Sequence, residues 1–176
     1  MRNYKDDKGK IPAHAFNLEY IFKENITWSS LSSYKFAARY TDYGFLYDAS
    51  GSFADVKTEN LYYSLAFLCS EVTLFYLSAM NPTLNFQKGN ISSLPFILDV
   101  ERRGVVTDLA KKCINISRND WDSFENSWNF QKHPLVEYAS IIPKEVSKDG
   151  EHHISDMGIL CNAYELWQDR CEGRFN

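Results

Sequence analysis

The sequence predicts an α+β domain, in which a small, mainly antiparallel or mixed sheet packs against one long helix and a helical extension follows. Apolar residues recur at intervals of three and four through residues 59–81, as on one face of a helix. Short runs rich in β-branched and aromatic residues fill 19–52, and helical spacing returns near the end. We therefore divide the chain into a flexible segment 1–18, a sheet-and-helix domain 19–98 and a helical extension 99–176.

Composition limits the kind of protein. The 176 residues are 44% hydrophobic and 15% aromatic, which predicts one folded domain, alone or with an appendage. The net charge of −4 disfavours a free-standing nucleic-acid-binding protein, unless partner domains supply positive charge. The 4 cysteines form no CxxC pair, so neither a zinc site nor a disulfide framework is indicated. The first residues lack the apolar core of a signal peptide, and we expect a cytoplasmic protein.

Three strands are predicted in the first part of the domain, within 18–22, 25–40 and 44–50. In the second of these runs, apolar positions alternate with basic or small ones, which is typical of a half-buried strand with a basic opposite face. The apolar positions are Tyr34, Phe36, Ala38 and Tyr40, and the opposite positions are Lys35, Ala37 and Arg39. Gly51 indicates a turn before the long helix.

A single helix is predicted over 59–80, and Pro82 ends it because a proline disfavours helical geometry in the residue before it. Asn60 or Thr58 can cap its start. Its predicted buried face is Leu61, Leu65, Leu68, Val72, Phe75, Tyr76 and Ala79. A helix of this length is long enough to cross a bilayer. Because it contains Glu71 and several hydroxyl groups, we expect it to lie inside a domain and not in a membrane.

The last part of the chain predicts further helices over 105–116 and 117–126, the second opened by a cap at Ser117. An aromatic cluster is expected from Trp121, Phe124 and Trp128. Ser155 can cap a final helix, whose apolar stripe is Met157, Leu160, Cys161, Tyr164, Trp167, Cys171 and Phe175. Because this stripe continues to the last residues without a terminating glycine or proline, we expect the chain to be part of a longer polypeptide.

Motifs for catalysis are sparse. The sequence contains no GxGxxG or GxxxxGK[ST] phosphate-binding pattern. The pair His152–His153 has no further ligand at metal-binding spacing and is expected in a loop. A magnesium-dependent nuclease would have to combine Asp48, Asp55, Glu59 and Lys57. Their order does not match the usual arrangement of such residues on a strand, so this is the least favoured hypothesis.

Polar side chains that could contact DNA occur in two stretches, TWSSLSSYKFAARY and NPTLNFQKGN. Serine, lysine, arginine, asparagine and glutamine contact phosphates or base edges in protein–DNA complexes. The candidates are Ser29, Ser32, Ser33, Lys35, Arg39, Asn85, Gln87 and Lys88. The same residue types are common in turns and strands, so the pattern alone leaves both interpretations open.

At these residues the sequence also resembles a known family. The stretches NITWSSLSSYKFAARYTDYGFLYDASGS, LYYSLAFLCSEVTLFYLSAMNPTLNFQKGNISSLPF and DWDSFENSWNFQKHPL resemble the C-terminal half of PglX-type adenine-specific DNA methyltransferases of bacterial BREX phage-exclusion systems. The resemblance covers about 19–175, and its most specific part is NPTLNFQ followed by GxIxxLP. The helix leading into this turn is also similar to target recognition domains of Type I restriction specificity subunits and Type IIG-like enzymes.

The resemblance implies a DNA-recognition region of a restriction-modification or phage-defence methyltransferase, without catalytic activity of its own. The family's catalytic Asn-Pro-Pro-Tyr/Phe tetrapeptide, which holds a flipped adenine, is absent, because residues 81–84 read Asn-Pro-Thr-Leu. The glycine-rich S-adenosylmethionine loop is absent too, so that cofactor is expected in a separate N-terminal methyltransferase domain. Double-stranded DNA is then the expected partner, bound in the context of the full-length enzyme.

The alternative hypothesis is a protein-interaction or oligomerisation module of the same system. In that case the stripe of the final helix, centred on Trp167, would form a homodimer or dock on another part of the enzyme, and DNA would not contact this region.

Overall fold

The computed structural model describes residues 7, 9, 19–33, 35–48, 50–142 and 156–175, and the side chains of the last helix over 158–173. The chain forms two compact units, 1–111 and 112–176. The segment predicted to be flexible, the His152–His153 pair and the cap at Ser155 lie outside the described residues, apart from residues 7 and 9.

The first unit contains a three-stranded antiparallel sheet, so the α+β prediction is confirmed. Its strands are β1 (Asn25–Ser29), β2 (Ala38–Thr41) and β3 (Gly51–Ala54), in the order β2-β1-β3. The inner face carries Ile26 and Trp28, both buried. Because side chains alternate between the faces of a sheet, Ser29 and Arg39 lie on the outer face.

Two predicted strands are absent at their predicted places. Residues 19–23 form turns, and Phe22 has a positive φ of 62° with its N–H donating to the carbonyl of Phe45 at 3.1 Å. Residues 44–48 form a loop, and the third strand instead begins at Gly51, where a turn was expected. The reason is Asp48, whose carboxylate accepts the N–H groups of Ser50 and Gly51, each at 2.9 Å. This side chain closes the turn before the glycine, and the glycine enters the strand.

The predicted single long helix is wrong, because two helices replace it. They are α1 (Leu61–Leu68) and α2 (Glu71–Met80), bent by 67° at the break between them. Ser70 adopts an extended conformation and its hydroxyl accepts the N–H of Thr73 at 3.3 Å, while donating to the carbonyl of Phe67 at 2.7 Å. A serine that satisfies helix-end groups in this way favours a new helix start over continuation.

The bend changes which residues are buried. In α1 the predicted face is correct, since Leu61, Leu65 and Leu68 are buried. In α2 it is wrong, because Thr73 and Leu77 are buried instead and Phe75 is 70% exposed. Within the described part of the chain, no single helix is long and apolar enough to span a membrane, and only this bent pair, taken together, meets that test by length and composition.

The helices that follow are α3 (Lys88–Ser92) and α4 (Arg103–Trp121). Two separate helices were predicted over 105–126, but α4 is continuous through Ser117, so the predicted cap there is wrong. A serine inside a helix favours a break only when its side chain takes the place of a backbone hydrogen-bond partner. The backbone of α4 continues as a helix past Ser117.

The second unit contains α5 (Pro134–Ile141) and α6 (Asp156–Phe175), which pack together. The Arg170 guanidinium donates to the Tyr138 hydroxyl at 3.0 Å, and the rings of His133 and Trp167 lie 5.5 Å apart. The predicted stripe of α6 is only partly buried, because Leu160 and Tyr164 are 47% and 51% exposed.

The aromatic cluster predicted for residues 121–128 does not form. Trp121 and Phe124 are exposed, and Trp128 is 100% exposed. The residue before Trp128, Ser127, is buried instead, and its hydroxyl donates to the Asp122 carboxylate at 2.6 Å. Hydrogen bonding of the turn, and not aromatic packing, therefore organises this segment.

Candidate nucleic-acid interface

The structure brings together the two polar stretches that the sequence singled out. Leu31 and Asn85 form an antiparallel bridge. The N–H of Ser32 donates to the carbonyl of Leu84 at 3.0 Å, and the N–H of Phe86 donates to the carbonyl of Ser30 at 2.7 Å. The segment after Pro82 therefore pairs with the continuation of β1, and all eight candidate residues belong to one region of the first unit.

Buried aromatic residues fix this region from beneath. Trp28, Phe36 and Phe86 are all buried, and the rings of Phe36 and Phe86 meet edge to face at 5.3 Å. The indole Nε1 of Trp28 donates to the main-chain carbonyl of Phe86 at 3.1 Å. Because neighbouring side chains of an extended segment point in opposite directions, the residues next to these aromatic side chains face solvent.

Five of the eight candidates are exposed and make no hydrogen bond or ion pair through their side chains with the part of the chain that the structure describes. They are Ser33, Lys35, Asn85, Gln87 and Lys88. Exposed cations and amides with unused donors and acceptors are available to a ligand without first breaking an internal contact.

The other three candidates are partly engaged in internal contacts. The Arg39 guanidinium donates from Nη2 to the Ser29 hydroxyl at 2.7 Å, across the outer face of the sheet. The Ser32 hydroxyl lies 3.5 Å from the carbonyl of Lys35, at the limit of a hydrogen bond. A guanidinium has five N–H donors, so Arg39 keeps several for a ligand while Ser29 orients it.

The turn that carries Asn85 is held by its own side chains. The Asn81 carbonyl oxygen Oδ1 accepts the N–H and the hydroxyl of Thr83, at 3.2 and 2.6 Å. Its amide nitrogen donates to the main-chain carbonyl of Asn85, and the N–H of Asn85 donates to the Thr83 hydroxyl. Asn81 therefore has a structural role, and it leaves the side chain of Asn85 unused.

The local charge differs from that of the whole chain. Residues 29–39 and 81–92 contain Lys35, Arg39 and Lys88 and no aspartate or glutamate. This region therefore carries +3, in a chain whose net charge is −4. Asp48 lies beside these segments, because its carboxylate accepts the N–H of Gly51, the cross-strand partner of Ser29. The two segments combine cations with free amides, which is the chemistry that contacts phosphates and base edges.

Two carboxylates of the first unit, Glu24 and Asp48, accept hydrogen bonds from neighbouring groups of the same unit. Glu24 accepts hydrogen bonds from the hydroxyls of Tyr40 and Tyr43. The pKa of Tyr40 is raised far above its ordinary value, mainly by burial of the hydroxyl and next by its hydrogen bond to Glu24. The hydrogen bond to Glu24 is the main reason that the pKa of Tyr43 is raised. The N–H groups of Gly51 and then Ser50 lower the pKa of Asp48.

Nothing in the described part of the chain favours a metal-dependent nuclease. Asp48 serves the turn before β3, while Asp55 and Glu59 are exposed. Among the described residues there is no group of three or more histidine, cysteine, aspartate or glutamate side chains that could hold a metal ion.

Comparisons with known proteins agree with the resemblance in the sequence. No family model matches the chain. Over 176 residues it is 36% identical to the adenine-specific methyltransferase PglX of Lacticaseibacillus casei (strain Zhang). This alignment covers 99% of the chain and 13% of PglX. It is 37% identical over 142 residues to the adenine-specific methyltransferase BrxX of Escherichia coli O9:H4 (strain HS), covering 77% of this chain and 12% of BrxX. The predicted similarity to PglX-type methyltransferases is confirmed, and the chain corresponds to a small segment of those proteins.

Proposed function

We propose that this chain is the DNA sequence-recognition segment of an adenine-specific DNA methyltransferase of a phage-defence system, and that it acts in the cytoplasm. Methyl transfer and S-adenosylmethionine binding belong to a methyltransferase domain elsewhere in the longer polypeptide. The observation that carries the proposal is the +3 charge of residues 29–39 and 81–92, together with the exposed amide side chains of Asn85 and Gln87, in a chain similar to adenine-specific methyltransferases.

The roles divide by chemistry. Lys35, Arg39 and Lys88 contact phosphates, which supply most of the affinity and fix the orientation of the duplex. Asn85 and Gln87 contact base edges, which supply specificity. The serines at 29, 32 and 33 add shorter contacts to either. The buried aromatic residues beneath them provide the rigid support that base recognition requires.

The internal contacts of Asn81 support a role without catalysis. In the family's tetrapeptide an asparagine holds the flipped adenine. Here both the amide nitrogen and the side-chain carbonyl oxygen of Asn81, the first residue of Asn-Pro-Thr-Leu, make hydrogen bonds within the turn. The second proline and the aromatic residue of the tetrapeptide are also missing.

The first test measures binding of this chain to duplex DNA between about 50 and 200 mM salt. Removing three phosphate contacts, by replacing Lys35, Arg39 and Lys88 with alanine, should make the slope of log K against log salt shallower by about 2 to 3. The matched control removes three exposed lysines elsewhere, at positions 57, 112 and 132, and should keep the slope. Equal slopes for the two triple variants would contradict the proposal.

The second test asks whether the segment sets the methylated sequence. The aligned segment of the Lacticaseibacillus casei PglX is replaced by this chain, and the methylated adenines in the host DNA are mapped. We expect the methylated motif to change from that of the recipient enzyme. A chimera that methylates the recipient's motif unchanged would show that recognition resides elsewhere.

A protein-interaction role remains the second candidate, because Leu160 and Tyr164 leave an apolar strip of α6 exposed. In this hypothesis two copies associate through α6. Light scattering should then give a dimer mass that falls to a monomer when both residues are replaced by glutamate. A monomer mass for the unmodified chain rejects this candidate.

A further inference from the structure

We propose that Asn85 and Gln87 each recognise an adenine, and that the two adenines lie in the target site with one base pair between them. This inference rests on the proposed DNA-recognition function and specifies what that site reads.

The first step is the direction of the two side chains. Asn85 pairs with Leu31, and Gln87 is extended, with φ −77° and ψ 154°. Phe86 between them is buried, with its ring against Phe36. Since alternate residues of an extended segment share a face, both amides project to the side opposite the buried ring.

The second step is their availability. Both side chains are exposed, and neither makes a hydrogen bond within the part of the chain that the structure describes. The main chain around them is fully engaged instead, because Asn81, Thr83, Ser30 and Trp28 bond the backbone of residues 85 and 86. A fixed backbone with free side chains is preorganised, so little order has to be created on binding.

The third step is the chemistry of the amide group. Asparagine and glutamine pair with adenine in the major groove by donating to N7 and accepting from the N6 amino group. Guanine presents two acceptors there and is recognised by arginine or lysine. Two free amides therefore select adenine over guanine at the positions they reach.

The fourth step is the spacing. Residues two apart in an extended segment are separated by about 6.6 Å. Successive base pairs are separated by about 3.4 Å, so two steps span about 6.8 Å. When the segment lies along the groove, the two amides meet bases two steps apart, and the one base pair between them faces the backbone of Phe86.

The experiment selects bound duplexes from a library with a randomised central segment, using this chain at about 50 mM salt, where phosphate contacts are strong. The enriched motif should contain two adenines separated by one base pair. Asn85→Ala should reduce the preference at one of them by roughly 5- to 150-fold, and Gln87→Ala should do so at the other. Asn126→Ala, which removes an exposed amide of the second unit, should leave the motif unchanged.

The outcomes separate this inference from the function beneath it. If the unmodified chain enriches a motif and neither amide variant alters an adenine position, the pairing is overturned and DNA recognition stands. Altered positions that are adjacent, or more than two steps apart, overturn the spacing. If no sequence is enriched, both the recognition function and this inference are overturned.

Discussion

The hydrogen bond from Trp28 to Phe86 ties the sheet to the candidate interface, and replacing this tryptophan tests that link. In Trp28→Phe the six-membered ring is kept and the indole N–H is lost. The carbonyl of Phe86, now bonded at 3.1 Å in a buried position, would lose this donor at a cost of about 1–3 kcal/mol. The smaller ring removes further buried apolar contact, worth about 1–2 kcal/mol. We therefore expect the free energy of unfolding to fall by about 2–5 kcal/mol.

The assay is urea denaturation followed by circular dichroism, together with hydrogen exchange of the Phe86 amide, which donates to Ser30. Its exchange should accelerate more than that of amides in the second unit, because the lost bond holds the 84–86 segment. Trp128→Phe is the matched control, since Trp128 is 100% exposed, and it should change stability by no more than about 0.5 kcal/mol. Equal stability losses for the two variants, with unchanged exchange at Phe86, would refute the reasoning.

Three further predictions concern single contacts. Ser70→Ala removes the cap of α2, with its bond to Thr73, and should lower the free energy of unfolding by about 1 kcal/mol in urea denaturation; no change would mean that packing alone sets the bend. Because the pKa of Asp48 is lowered from 3.8, its contribution is complete above that pH and lost as the pH falls through its folded-state value. The stability difference between wild type and Asp48→Ala should therefore vanish in acid, and a difference independent of pH would contradict this. Arg170→Met removes the hydrogen bond to Tyr138 and should cost about 1 kcal/mol in thermal or urea unfolding, whereas Gln168→Met, exposed on the same helix, should be neutral.

Local alternation in the sequence predicted part of the fold well. Phe36 and Ala38 are buried, while Lys35, Ala37 and Arg39 are exposed, as the pattern indicates. This succeeds because the period of an extended segment is fixed by its backbone and does not depend on distant residues. The prediction of one strand over 25–40 is wrong, because this stretch contains two antiparallel strands, β1, which ends at Ser29, and β2, which begins at Ala38.

The break between α1 and α2 was missed because apolar spacing continues across it. A stripe at intervals of three and four does not show where one helix ends and the next begins. In α2 the stripe is not the buried face either, because Phe75 is exposed and Thr73 is buried. The usable signal was Ser70 followed by Glu71, a cap residue with an acidic first turn. A side chain also explains where β3 begins. The Asp48 carboxylate accepts the N–H of Gly51, so the turn comes before Gly51 and the strand starts at it.

The members of the candidate interface could be chosen from residue type, but their arrangement could not. The bridge between Leu31 and Asn85 joins segments far apart in the sequence, and no local pattern encodes such a pairing. Residue type also does not show that the amide of Asn85 is free and that of Asn81 is engaged, because this difference depends on the turn geometry.

Screening reconciles an acidic chain with DNA binding. Charges in solution act over a Debye length, about 8 Å at physiological ionic strength. A phosphate at the interface therefore responds mainly to nearby charges, which are the +3 of residues 29–39 and 81–92 and the neighbouring Asp48, and less to the net charge of −4. Net charge alone argued against nucleic-acid binding. The positive charge of the two paired segments favours it, because charges within a Debye length of a phosphate dominate its interaction with the chain.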